Sequence, residues 1–174
     1  MNALIVYESM FGNTRRLAEA IAGALESAGV DAAVMHAADA PSDLSGYQLV
    51  IVGAPTHAHG LPRPTSRTEA LAWADDHTKN LTLEPTAGTA GVREWLDRLL
   101  LVGNPRFAVF STRASIPRIF AGDAGNAIAK GLHRRLAEVD SRADFLVDLE
   151  NRLVDGEEVR ARAWANDLVS VPSH

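Results

Sequence analysis

The segment Glu8-Ser9-Met10-Phe11-Gly12-Asn13-Thr14 gathers two hydroxyls, a glycine and a side-chain amide directly after the apolar run Leu4-Ile5-Val6. Such residue types can grip an anion. Small side chains leave backbone N–H groups free to converge at a helix N-terminus. Gly12 lets the backbone approach closely, and the Ser9 and Thr14 hydroxyls can donate to phosphate oxygens. Asn13 can hold a tight turn through its side chain. The plainer alternative is that Thr14 caps a helix and Gly12-Asn13 is only a turn. Position behind a buried first strand favours the phosphate reading.

Two further segments carry polar chemistry. Gly53-Ala54-Pro55-Thr56-His57-Ala58-His59-Gly60 contains two imidazoles, which can stack and change charge near neutral pH. Two histidines two residues apart with no third ligand nearby make a poor metal site, and simple exposure is the other reading. Ser111-Thr112-Arg113-Ala114-Ser115 leads through Phe120 to Gly122-Asp123. Arg113 can pair with a phosphate or an anionic substrate, or it is a surface arginine without a role. Familiar alternatives are missing from the chain. No G-x-G-x-x-G follows the first apolar run, no G-x-x-x-x-G-K-[ST] occurs, and there is no G-x-S-x-G elbow. Gly53-Ala54-Pro55 stands where a phospho-accepting receiver domain would place an Asp.

The elements that must position these loops follow from periodicity. Continuous apolar runs such as Leu49-Val50-Ile51-Val52 and Phe107-Ala108-Val109-Phe110 suit strands covered on both faces of a parallel sheet. They predict strands over 2–7, 31–35, 48–53, 106–111 and 143–148. Leu17, Ile21 and Leu25 step by four, as do Ile128, Leu132 and Leu136. Trp95, Leu96, Leu99 and Leu100 share a face, and Val159, Ala163 and Leu168 mark a last helix. Helices are thus predicted over 14–28, 66–77, 91–102, 123–139 and 156–169. Capping-box spacing at Ser66 to Glu69 and Asp155 to Glu158, and the Gly122-Asp123 pair, set three of the starts. Alternation of strand and helix means an open α/β sheet with helices on both faces. In such sheets the ligand lies beyond the C-terminal strand ends, so function is expected in the loops after the first, third and fourth strands. Thr78 to Gly91 reads as a surface insertion, and residues 172–174 as a frayed tail after a single domain over 1–171. Trp73, Trp95 and Trp164 lie within helical periods and read as core packing or, if exposed, as a dimer surface.

Composition narrows the partners. The chain has 174 residues, Lys+Arg 17 against Asp+Glu 22, and no cysteine. Disulfides, thiolate metal sites and a cysteine nucleophile are therefore excluded. A net charge of −5 disfavours nucleic acid and favours a partner with a positive surface. The first residues lack a signal-peptide pattern and no apolar stretch approaches the ~20 residues that span a bilayer, so a cytoplasmic protein without membrane insertion is expected.

Tyr7-x-Ser9-x-x-Gly12-Asn13-Thr14 behind Leu4-Ile5-Val6, followed by Ala18-x-x-Ile21-Ala22-x-x-Leu25, resembles the flavodoxin family's FMN phosphate loop and first helix. The resemblance is most specific over residues 3 to 25 and extends in element order over nearly the whole chain. It implies a doubly wound five-stranded parallel sheet in the order 2-1-3-4-5, FMN as cofactor and no resident metal. Phe11 stands where many flavodoxins have a second Thr or Ser. That version is more similar to the flavodoxin-like domains of multidomain flavoproteins and quinone reductases.

The resemblance also implies site residues. Ser9, Met10, Phe11, Gly12, Asn13 and Thr14 would hold the phosphate. Pro55, Thr56, His57, Ala58, His59 and Gly60 would lie along the isoalloxazine edge, with Gly60 able to flip its peptide towards N5–H on reduction. A histidine would take the place of the usual stacked aromatic there, and as a cation would raise the potential. Thr112, Arg113, Ala114 and Gly122 would line the other face. The leading function is an FMN-binding electron-transfer protein acting on a redox partner protein. The alternatives are an NAD(P)H-dependent FMN reductase of quinones or small acceptors, or a flavodoxin-fold binding protein that has lost FMN. If the chain is an enzyme, it is an FMN-dependent oxidoreductase.

Overall fold

In chain order the elements are β1 (Asn2–Tyr7), α1 (Asn13–Ser27), β2 (Asp31–His36), β3 (Leu49–Pro55), α2 (Pro64–Asp75), α3 (Val92–Arg98), β4 (Arg106–Ala114), α4 (Arg118–Ala121), α5 (Ala124–His133), β5 (Val139–Val147) and α6 (Glu157–Ser170). They come from a computed structural model that describes residues 1–170; the tail expected over 172–174 lies outside the described residues. The five strands form one sheet in the order β2-β1-β3-β4-β5, and every neighbouring pair is parallel. This is the order expected from the resemblance.

Alternation along the pleat divides the core into two layers. Leu4 and Val6 of β1, Val50 and Val52 of β3, and Phe107 and Val109 of β4 pack under Trp95 and Leu96 of α3 and Ile128 and Leu132 of α5. Ala3, Ile5, Leu49, Ile51, Ala108 and Phe110 face the other way, against Leu17, Ile21 and Leu25 of α1 and Ala161, Ala165 and Leu168 of α6. Burying one Leu or Ile contributes roughly 1.5–3 kcal/mol, so each layer outweighs any single surface contact. That is why the three central strands are the continuous apolar ones.

Several boundaries differ from the periodic reading, each for a physical reason. The helix expected over 123–139 ends at His133, and β5 begins at Val139 rather than 143. Leu136 adopts φ 63° and is 94% exposed. Ala137 takes the inward position instead, as the chain reverses to bring Val139 opposite Phe107. The helix expected over 91–102 stops at Arg98, because Leu100 leaves it to bridge Asp43 and stands exposed. In α6 the buried face is Ala161, Ala165 and Leu168, while Val159 and Ala163 face solvent. α2 starts at Pro64, not 66. Proline suits a first helical turn, and Ser66 Oγ accepts from Arg63 N at 2.7 Å. Asp123 caps α5 as expected, its Oδ1 accepting from Asn126 N at 2.8 Å. Among the described residues no helix is long and apolar enough to cross a membrane.

Candidate functional site

A cleft of 1410 Å³ opens at the C-terminal ends of the central strands. Ser9, Met10, Phe11, Asn13 and Thr14 line it from the loop after β1. Pro55, Thr56, His57 and Ala58 line it from the end of β3, and Thr112, Arg113 and Ala114 from the end of β4. These are segments in which the sequence locates function. Gly12, His59, Gly60 and Gly122 are not among the residues that line it.

At the floor, Gly12 adopts φ 93° and ψ −14° as the N-cap of α1. Its own amide donates to Ser9 Oγ at 3.1 Å, which closes the turn. Ser9 is thereby a brace as well as a hydroxyl. Arg16 N is the first helix amide to find its carbonyl, that of Gly12, at 3.0 Å. The amides of Asn13, Thr14 and Arg15 have no acceptor among the described residues. Asn13 and Thr14 are nevertheless buried, at 9% and 1% exposure. First-turn N–H groups point out along the helix axis, and the helix dipole adds partial positive charge there. Donors without acceptors on buried Asn13 and Thr14 and on half-buried Arg15 fit the dianionic phosphate of FMN. The nearby carboxylate of Glu84 does not spoil the fit, because Arg15 Nε neutralises its Oε2 from 3.1 Å. Thr14 Oγ1 lies 3.2 Å from Thr112 Oγ1, joining the loops after β1 and β4.

The wall after β3 is a tight turn. His57 N donates to Gly60 O at 2.8 Å and Gly60 N donates to His57 O at 2.9 Å. Ala58 and His59 at its tip both have positive φ, 45° and 69°, as the turn hand suited to a twisted hairpin requires. Both polar groups of the Gly60 backbone are thus committed to His57. The turn is pinned from behind at Gly122. With φ 77°, Gly122 sits so close that a Cβ would meet His59 Cα at 2.2 Å. Asp123 N completes the link by donating to His59 O at 3.3 Å.

The histidine pair behaves as two separate groups. His57 stacks against Trp73 of α2, with centroids 5.6 Å apart and a 34° tilt, and Lys79 Nζ lies 5.7 Å from the Trp73 ring. Burial pushes the His57 imidazole below its ordinary value, while Glu69 pulls the other way. It is therefore neutral at neutral pH. Among the described residues no group of three His, Asp or Glu side chains could hold a metal.

Arg113 reaches the cleft as part of β4, which runs to Ala114 rather than stopping at 111. Its guanidinium is occupied, with Nε donating to Asp144 Oδ2 at 2.5 Å and Nη1 to Ile116 O at 3.2 Å. Phe120 is 63% exposed and does not line the cleft.

Arg67 of α2 joins Glu8, just after β1, to Glu94 of α3. Its Nε donates to Glu8 Oε1 at 2.9 Å and its Nη2 to Glu94 Oε2 at 2.8 Å. Val92 N donates to the other Glu8 oxygen at 3.0 Å. Burial pushes the Glu8 carboxyl up from its ordinary value, against the pull of Arg67.

Three parts of the cleft lie outside the segments in which the sequence locates function. Trp73, read as core or dimer packing, is 43% exposed on the cleft wall; Trp95 is fully buried and Trp164 half-buried against Phe110 and Phe145. The segment read as a surface insertion supplies Thr78, Lys79, Asn80, Leu81 and Thr82 to the lining. It folds back so that Leu83, like Phe11, packs against the cluster of Met10, Ala70 and Ala87, and Glu84 N donates to Met10 O at 2.7 Å. The loop between β5 and α6 supplies Asp148 to Leu153. For the two loops the available signals were Asp76-x-Thr78 turn chemistry and the polar residues Asp148, Glu150, Asn151 and Arg152.

Comparison with known proteins defines the class. A family model described as flavodoxin matches residues 5–110, and the chain belongs to the flavodoxin family. Similar solved structures include oxidised flavodoxin 1 from Bacillus cereus, at 20% identity over 99% of this chain and 100% of that one, with TM-score 0.66. A flavodoxin of Streptococcus pneumonia TIGR4 matches at 22% identity over 98% and 99%, TM-score 0.63. A flavodoxin from the domain Archaea matches at 21% over 98% and 97%, TM-score 0.63. At these identities the likeness is one of fold. Family membership supports a capacity to bind FMN and a general role in electron transfer.

Proposed function

We propose that this chain binds FMN in the described cleft and passes electrons between partner proteins. The observation that carries the reading is the set of acceptor-free amides at Asn13, Thr14 and Arg15, the first two on buried residues. Asn13 and Thr14, with the Ser9-braced Gly12 turn, would hold the phosphate. Pro55 to Ala58, backed by Trp73, and Thr112 to Ala114 would hold the ring. His59, Gly60 and Gly122 would fix the turn rather than touch the flavin. FMN, when bound, supplies the redox chemistry, and the protein supplies orientation and potential.

The position of Trp73 gives a direct readout. FMN titration is expected to quench tryptophan fluorescence, and Trp73→Phe is expected to remove most of that quench. A quench unchanged by the substitution would place the flavin elsewhere.

His57 sets a pH dependence with a definite sign. Because burial lowers its affinity for a proton, it adds no positive charge at neutral pH. Protonation on acidification below about 6.5 would favour the reduced flavin. The potential of the wild type is expected to rise more steeply with falling pH there than that of His57→Ala. Superimposable profiles would remove His57 from the ring's surroundings.

A net charge of −5 suits a partner with a basic docking face. Transfer from the photoreduced, FMN-loaded protein to a basic acceptor such as cytochrome c is expected to be fast at low salt and slower as salt rises. A salt-independent, slow transfer would count against the carrier.

One observation favours a second reading, an NAD(P)H-dependent reductase of quinones or small acceptors. The 1410 Å³ cleft exceeds the roughly 300–1,000 Å³ of ordinary single-ligand sites. Sustained NAD(P)H oxidation by the loaded protein with a soluble quinone and no other protein would select it.

A further inference from the structure

Asn151 lies in the loop between β5 and α6, far in sequence from the turn that opens α1. The loop is a compact turn built on Asp148. Its Oδ1 accepts from Glu150 N and Arg152 N, both at 2.9 Å, and its backbone N donates to Arg152 O at 2.8 Å. This winding places Asn151 at φ 60°, a conformation that asparagine tolerates better than most residues. The winding also brings Asn151 to Asn13. Asn13 Nδ2 donates to Asn151 O at 2.7 Å, and Asn151 Oδ1 lies 3.5 Å from the same nitrogen.

That contact fixes which way the Asn151 amide faces. Turning it over would set its NH2 against the NH2 of Asn13, donor against donor. With Oδ1 towards Asn13, Asn151 Nδ2 is buried and has no hydrogen-bond partner among the described residues. A buried donor left unmade is unfavourable, and the loop has no local use for it: Asp148 is occupied by backbone amides and Glu150 pairs with Arg152. Asn151 and Asn13 both line the cleft, and the Asn13 amide belongs to the acceptor-free set.

We propose that Asn151 is a phosphate-binding residue, its Nδ2 donating to the FMN phosphate held at the start of α1. This rests on the FMN reading above and adds a donor from the adjoining loop between β5 and α6. Asn13 then has two tasks, offering its amide and positioning Asn151.

Two variants test the assignment, each titrated with FMN and with riboflavin, which lacks the phosphate, and each melted thermally. Asn151→Asp keeps the shape but puts a carboxylate where the donor stands. It is expected to weaken FMN about tenfold or more and to leave riboflavin unchanged. Asn151→Gly keeps the positive φ and the backbone carbonyl that Asn13 uses. It is expected to weaken FMN about tenfold without lowering the melting temperature, and to shift the phosphorus NMR resonance of bound FMN. Variants that bind FMN like the wild type overturn the assignment, and so does an equal loss for FMN and riboflavin. If the wild type itself does not bind FMN, the broader reading falls and this assignment with it; wild-type binding with unaffected variants removes Asn151 alone.

Discussion

Gly12→Val is expected to abolish FMN binding while the sheet remains folded. At φ 93° a β-branched residue is a severe outlier, and its Cβ would stand 3.0 Å from Glu84 Oε1 before any further atom is added. The turn must then open, which breaks the Gly12 amide's bond to Ser9 Oγ and misaims the Asn13, Thr14 and Arg15 amides. Hydrogen bonds to a charged group contribute about 1.5–3 kcal/mol each, so losing two of them lowers affinity by at least about a hundredfold. Gly12→Asn is the control, since asparagine tolerates the left-handed region, and it is expected to retain more affinity than valine. Fluorescence titration reads the affinity and circular dichroism the fold. Equal FMN affinity in wild type and Gly12→Val would refute the assignment of the turn.

Arg67→Ala carries the largest expected stability loss, about 3–5 kcal/mol. The Arg67 and Glu8 side chains are 7% and 2% exposed, so truncating one leaves the other's charge buried. For a domain of this size that lowers the melting temperature on the order of 10 °C. The pH dependence has a definite sign. Glu8 is already raised by burial, and without Arg67 it rises further. An acid whose folded value lies above its unfolded value destabilises the folded state when ionised. The deficit of Arg67→Ala is therefore expected to be largest at neutral pH and to shrink as pH falls through that raised value. Adding Glu8→Gln removes the stranded charge and is expected to restore part of the loss. Urea unfolding at two pH values would show both effects; a deficit below about 1 kcal/mol would mean that the pair contributes no more than a surface ion pair.

The parts of the fold legible in the sequence are those with strong local causes. Leu49 to Val52 can only be covered on both faces, and Leu17, Ile21 and Leu25 can only form one buried stripe, so the parallel sheet and the first helix followed. The strand order came from the resemblance of residues 3–25 to the flavodoxin family. Periodicity misled where the chain reverses. Leu136 continues a four-residue step yet faces solvent, because pairing of Val139 with Phe107 determines where the helix must end. Trp73 sits on a helical period, but periodicity does not say whether a face meets a core or a cleft. Arg113 has the right chemistry for an anion, but Asp144, 31 positions away, takes its guanidinium. Asn151 and the 78–82 segment carry no motif at all; only tertiary folding brings them to residues 10–14.

The central claim is that the main-chain amides opening α1 hold the phosphate of FMN, and calorimetric titration of the apoprotein with FMN and then riboflavin tests it most directly. One equivalent of FMN should bind, riboflavin should bind at least about a hundredfold more weakly, and inorganic phosphate should compete with FMN. Equal affinity for the two flavins, or no heat from either, would contradict it.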